Sequence, residues 1–359
     1  MKDITLVIPT YNNLQHIKNA YTSVRKFYPE LELVLLDDGS TDDTKTWLDE
    51  LEDNFVIKYR SEERVGHTIL YDKGIDMATN KIVGIMHADM ILGPNYLENI
   101  LKHLKRGKVI CATRIEPPLH PEGKEKIVRN FGMDFNDLDI RAFEEFVLEA
   151  QNECKNQTTK GMFAPWVIYK DDFQAIGGHD PGFAPFPYED SDIFQRWILA
   201  GYELIQSRDA FVYHLTCRGH RWNEQVGVND NYFEIAEKKA REYYIRKWGS
   251  WIQNDQNQYP IITPVYKKGV IINNANPQLT EALEPWFNDN DLAYQDIIVE
   301  VDGNTFTQQD FQIIQQLNAI IKDSGEIGKF ELGNLKITIN SLKEYQNELI
   351  KINEKTSTK

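Results

Sequence analysis

"IVGIMHADMILGPNYL", residues 82–97, starts as an apolar run, breaks at His87-Ala88-Asp89 and resumes through Gly93-Pro94 into helical spacing. An apolar strand that closes on an imidazole and an acid, with Pro94 placed to open a helix, presents its polar end to a ligand. The segments before it repeat the pattern. "ITLVIPT" (4–10) leads through a Tyr-Asn-Asn turn into a helix from about Leu14 to Phe27. "LELVLLDDGS" (31–40) precedes "TDDTKTWLDELED", where Ser40 or Thr41 is expected to cap a helix and Asp42 and Asp43 suit the positive end of its dipole. "FVIKYRS" and "HTILYDKGIDMA" supply a third strand and helix, "PNYLENILKHLKRG" a fourth helix opened by Pro94 and closed by Gly107, and "VICATRIEP" (109–117) a fifth strand. Strands separated by helices need crossover connections, which implies an α/β fold with a mostly parallel sheet buried on both faces.

Open sheets of this kind bind ligands beyond the carboxyl ends of their strands, so Thr10, Tyr11, Asp37, Asp38, His87 and Asp89 are expected on one rim. Neither a G-x-G-x-x-G nor a G-x-x-x-x-G-K-[ST] stretch is present, so a nucleotide bound here must rely on carboxylates, a metal and single side chains. In the second half, "FPYEDSDIFQRWILAGYELI" (186–205) opens a helix with Glu189, Asp190 and Asp192, and Gly201 closes it. Those acids either only answer the helix dipole or include a carboxylate that takes a proton from a hydroxyl. "AFVYHLT" (210–216) then brings His214 to a strand end. A hard divalent cation wants oxygen ligands and Mn²⁺ tolerates an imidazole, so Asp89 and His214 are expected to meet.

Composition narrows the class. The chain has 359 residues, 41% of them hydrophobic, enough for one large core and a small second one, and we expect a domain over 1–252 and a small α+β domain over 253–359. A net charge of −15 argues against phosphate-coating nucleic-acid binding, although a local basic groove stays compatible. Cys111, Cys154 and Cys217 are scattered and odd in number, which indicates neither a disulfide framework nor a zinc knuckle. No basic, apolar leader opens the sequence and no run approaches the ~20 apolar residues of a membrane span, so the expectation is a soluble cytoplasmic protein. The tail, Asn/Gln-rich from about Gln253, is read as a stability or oligomerisation element.

The ordered set "VIPTYNN", "LVLLDDGSTDDT", "ERVG", "IVGIMHADMILGPNYL", "GGHDPGF", "PYEDSDIFQRWILAGYEL" and "AFVYH", spanning about residues 2–222, resembles the family 2 glycosyltransferases of GT-A fold. The resemblance implies an inverting transferase whose nucleotide-sugar donor, most often of UDP, is held with its diphosphate on Mn²⁺ or Mg²⁺. By position it implies Pro9, Thr10 and Tyr11 beside the nucleobase, Asp38 on the uracil N3–H, and Gly66 allowing close approach of the backbone to the nucleotide. Ala88 and Asp89 would contact the donor, Asp89 and His214 the metal, and Asp190 would be the base. His87 stands where the family's first acid usually lies, so metal choice there is open. "LYDKG" (70–74) has Tyr71 where Arg is common and Asp72 where Asn is. "RGHRW" (218–222) partly echoes a motif of processive members, which makes Arg221 and Trp222 diphosphate or acceptor contacts. The rival is a member that binds a nucleotide-sugar without turning it over. The acceptor, whether glycan, lipid-linked saccharide or protein, is not readable.

Overall fold

Four parallel strands form one half of the main sheet: β1 (Ile4–Thr10), β2 (Glu32–Asp37), β3 (Val56–Arg60) and β4 (Ile82–Ile85), in the order β3-β2-β1-β4. The computed structural model describes residues 3–185, 187–216, 231–287, 295–324 and 327–340, with 231–234 described by backbone alone. All residues of β1 are buried, as a strand covered on both faces requires. The crossovers are α1 (Leu14–Phe27), α2 (Thr44–Glu50) and α3 (His67–Met77). α1 buries Ile17, Ala20 and Val24, a stripe at helical spacing.

The chain continues through β5 (Met90–Leu92), α4 (Tyr96–Leu101), β6 (Lys108–Glu116), β7 (Lys126–Val128), α5 (Ile140–Glu153), β8 (Thr158–Lys160), β9 (Trp166–Tyr169), α6 (Lys170–Ala175), α7 (Glu189–Leu199) and β10 (Glu203–His214). Beyond β4 the order runs β9-β6-β10-β5. β9 lies antiparallel between β4 and β6, which restores the direction, so β6 and β10 run with β1 to β4. The sheet is therefore mostly parallel, and Thr10, Asp37, Ile85, Glu116 and His214 all end strands at one rim.

Three local expectations are corrected. The strand of 82–97 stops at Ile85, and His87-Ala88-Asp89 lies between two strands, since β5 follows at once and pairs antiparallel with β10. The following helix covers only Tyr96–Leu101 and starts after Asn95 in a left-handed conformation, with turns replacing it before Gly107; past Leu101 the sequence is Lys- and His-rich and only Leu104 is buried. Ser40 does not cap α2, because its hydroxyl accepts the Asn12 N–H at 2.8 Å; the residue before α2 is Asp43, and Asp42 accepts from Thr44 N at 3.1 Å.

Among the described residues, those of Met1–Ala236 with Asn254–Pro260 form one compact unit and those of Glu237–Gln253 with Ile261–Lys359 a second. The second unit carries α8 (Asn231–Trp248) from Glu237 on, then β11 (Lys268–Asn273), α9 (Pro277–Leu283), β12 (Ile297–Asp302), α10 (Gln308–Ser324), β13 (Gly328–Leu332) and β14 (Leu335–Ile339). Its sheet order is β11-β12-β14-β13, and Val299, Val301, Leu317, Ile321 and Ile337 fill its core. The last helix read from the sequence, 341–352, lies outside the described residues. Cys111 and Cys154 are free thiols. No helix among the described residues is long and apolar enough to cross a membrane.

Gly74 holds α3 against the sheet: a Cβ there would meet Val7 Cγ1 at 2.4 Å and Leu36 Cδ1 at 2.9 Å. Gly74→Val should overpack this contact and destabilise the first unit by about 1–3 kcal/mol. The check is the urea midpoint, and an unshifted midpoint would remove the packing role.

Candidate active site

The rim is assembled by strand register. β10 pairs with β6 on one side, Tyr213 opposite Ile115, and with β5 on the other, His214 opposite Met90. Glu116 and Asp89 therefore flank His214, one at the end of β6 and one just before β5, and the Leu215 N–H donates to the Asp89 carbonyl at 3.0 Å. His214 Nε2 lies 3.6 Å from Asp89 Oδ1, and its Nδ1 lies 3.0 Å from Glu116 Oε1. The His87 ring stands edge-on to His214, with centroids 5.5 Å apart. One ligand atom each from His87, Asp89 and His214 falls within 4.8 Å of the others. Burial, and then the neighbouring His214, pushes the His87 imidazole down to about 3, although Asp89 acts in the opposite sense. His87 is thus neutral with its lone pair available, as a metal ligand must be.

A second cluster opens α7. Asp190 is pushed up to about 6, first by burial and then by the charge of Glu189, against hydrogen bonds from Ser191. Burial also works to raise Glu189, but the His67 imidazole, with Nε2 at 2.8 Å, outweighs it and holds this carboxyl well below the usual range. His67 is raised in turn: burial lowers it, and Glu189, Asp190 and Asp38 prevail. Two adjacent carboxyls are therefore driven apart, one locked as an anion and one poised near neutrality.

Tyr71 joins the clusters. Its phenol is raised by burial and then by the charges of Glu189, Asp89 and Asp190. Its ring stacks on His87 at 6.5 Å and packs against His179 at 5.7 Å. Asp72 accepts the His179 N–H at 3.0 Å and sits 2.6 Å from His179 Nδ1, tying α3 to the double-glycine turn. This gives both residues of the unusual "LYDKG" stretch a structural role beside the cluster.

On the first half of the rim, Pro9 and Thr10 are buried at the end of β1, and Thr10 Oγ1 has no hydrogen-bond partner among the described residues. Tyr11 is half-buried beneath the Arg64 guanidinium, 4.1 Å from its ring centroid. Asp38 accepts from Val65 N at 2.7 Å and Gly66 N at 3.0 Å; burial raises it in spite of those amides. Gly66 has φ +91°, and a Cβ there would stand 2.4 Å from the Pro185 Cα, so the room its missing side chain leaves is taken by Pro185. Asp37 pairs with Arg60 and accepts from Ser40 N, which makes it a brace between β2 and β3. Ala88 is buried between His87 and Asp89. Arg221 and Trp222, with Arg218, lie outside the described residues.

Sequence reasoning singled out neither Glu116 nor His67. Glu116 ends the fifth strand in "RIEP", so the strand-end rule that flagged Asp38 and His214 also reaches it. His67 carries no such signal, because its partner lies 122 residues away.

Fold and site together define an α/β domain that carries a His/Asp/His donor set of the kind that could hold a cation and, separately, a buried carboxyl raised toward neutrality. Residues 5–160 match the sequence model for glycosyl transferase family 2, so this segment of the chain is similar to that family. Validoxylamine A glucosyltransferase of Streptomyces hygroscopicus subsp. jinggangensis is 25% identical over 235 residues, 58% of this chain and 54% of that protein. The chain thus spans about half the length of that relative. A crystal structure of GalNAc-T7 with UDP, GalNAc and Mn²⁺ aligns at TM-score 0.48 with 19% identity, over 60% of this chain and 44% of that one. A mannosyltransferase from Pyrobaculum calidifontis in complex with GDP-Man and Mn²⁺ aligns at 0.43 with 20% identity, over 62% and 60%.

Because the Glu189 charge helps to hold the Asp190 proton, Glu189→Gln should move the Asp190 ionisation down, toward the ordinary Asp value of ~3.9. Carboxyl ¹³C NMR titration reads this directly. An unmoved or raised midpoint would show that the two groups do not interact as described.

Proposed function

We propose that this chain is a metal-dependent, inverting glycosyltransferase that moves a sugar from a nucleotide-sugar, a UDP-sugar first among them, to an acceptor hydroxyl. The observation that carries the reading is the division of the rim into two parts around Tyr71. One part is the His87, Asp89 and His214 donor set; the other is Asp190, a carboxyl raised toward neutrality.

One carboxylate with two imidazoles suits Mn²⁺ better than Mg²⁺, which prefers oxygen. A cation held there would act as a Lewis acid toward the diphosphate leaving group. Around it the protein supplies fixed groups. Pro9, Thr10 and Tyr11 border the nucleobase, with the unpartnered Thr10 hydroxyl free to bond it. Asp38 Oδ2, which takes one amide, retains acceptor capacity for a base N–H. Gly66 shapes this wall through its contact with Pro185, and the buried Ala88 adjoins the donor beside Asp89. Asp190 accepts the proton of the attacking hydroxyl; a base with an ionisation just below working pH combines a high ionised fraction with strong proton affinity. Glu189 is committed to His67, which favours single displacement with inversion over attack by this carboxylate. The match of residues 5–160 to the family 2 model and the glucosyltransferase relative support the reaction class. The second unit serves stability or self-association.

Asp190→Asn should cut transfer and slow donor hydrolysis by about 10²–10⁴-fold while leaving donor binding intact. The native enzyme should lose activity as pH falls through about 6, because protonated Asp190 cannot accept a proton. Steady-state rates with a UDP-sugar and Mn²⁺, beside calorimetric donor binding, test both; undiminished turnover in the variant would remove Asp190 as the base.

A further inference from the structure

We infer that Glu116 is a positioning residue: it fixes the His214 ring so that Nε2 points at Asp89 and His87, and thereby sets the cation affinity of the rim. The inference rests on the metal reading above and assigns a role to a residue outside the donor set.

The geometry leaves Glu116 little freedom. It is 3% exposed, and its Oε1 lies 3.0 Å from His214 Nδ1 and 3.1 Å from Arg114 Nη1, while its Oε2 lies 2.9 Å from Lys126 Nζ. Both oxygens are thus held, and each holder is itself anchored. Lys126 arrives on β7, whose register sets it opposite Arg114, and the Arg129 N–H donates to the Glu116 carbonyl at 2.9 Å. The Arg114 guanidinium lies 4.0 Å from the Phe163 ring centroid. Paired with the Arg114 and Lys126 cations, one at each oxygen, the Glu116 carboxylate only accepts. The hydrogen-bonding form of His214 then carries a hydrogen on Nδ1, and in the neutral ring this leaves the lone pair on Nε2. A carboxylate behind a ligating histidine fixes tautomer and ring orientation in this way at many metal sites, and its loss typically weakens metal binding by about 10–100-fold. A buried ion network with a purely structural purpose would not need its acceptor on the ring nitrogen that faces away from Asp89.

The test uses the full chain and Mn²⁺ alone, with free Mn²⁺ read by electron paramagnetic resonance. Glu116→Ala should weaken Mn²⁺ binding by about 10–100-fold, and Glu116→Gln, whose carbonyl still accepts from Nδ1, by less. Metal-free binding of UDP, which the proposed function seats on the β1 side of the rim, should stay within twofold in both. Because removing the anion strands Arg114 and Lys126, an independent measurement is needed if the Ala variant does not fold. Histidine ¹⁵N shifts of the metal-free native protein at pH 8 should show His214 protonated at Nδ1 and bare at Nε2. A hydrogen on Nε2 overturns the inference, as does a folded Glu116→Ala protein with native Mn²⁺ affinity while His214→Ala loses it. Native protein that binds no Mn²⁺, or binds it equally after His214→Ala, overturns the metal reading itself and this inference with it.

Discussion

The site depends on the pairing of β10 with two neighbours of opposite sense. A parallel partner, β6, ends beside His214 and delivers Glu116; an antiparallel partner, β5, begins beside it and delivers Asp89. Three residues separated by long stretches of sequence meet because backbone hydrogen bonds fix their strands. A one-residue slip on either side would turn a side chain to the opposite face of the sheet, so the register is also the condition for the chemistry. The core beneath keeps it in place: Val212 and Ala210 from β10 and Ile110 and Ala112 from β6 are all buried.

Charge is distributed around the rim with opposite results at neighbouring positions. His67 stabilises Glu189 as an anion, Glu189 raises Asp190, and Arg114 and Lys126 keep Glu116 ionised behind His214. Each carboxyl takes its protonation state from its burial and its nearest partners. Tyr71 sets a neutral ring within the influence of Glu189, Asp89 and Asp190, so those carboxylates are balanced by imidazoles and, in the proposed function, by a cation.

Much of the first unit was legible in the sequence because its strands and helices announce themselves by period: β1 to β4 and α1 to α3 stand where the apolar runs put them. The same run-reading failed at 86–89, since periodicity reports that a residue is apolar and not which strand it will pair with. β5 leaves the β4 edge for β10, a choice made by tertiary pairing. The antiparallel insertion of β9 was equally hidden, because a short apolar strand carries no mark of direction. Asp89, His214 and Asp190 were found as strand-end or helix-start groups. Glu116 and His67 act through partners distant in sequence, and Gly66 answers to Pro185, which only the folded chain reveals.

Anomalous scattering at the manganese edge, from crystals of the full chain soaked in MnCl₂ and UDP, tests the arrangement most directly. A single strong peak bounded by His214 Nε2, an Asp89 carboxylate oxygen and a His87 ring nitrogen is the predicted result, with Glu116 still bonded to His214 Nδ1. A peak elsewhere on the rim, with His214 turned away from Asp89, would contradict the assignment of this cluster as the cation site.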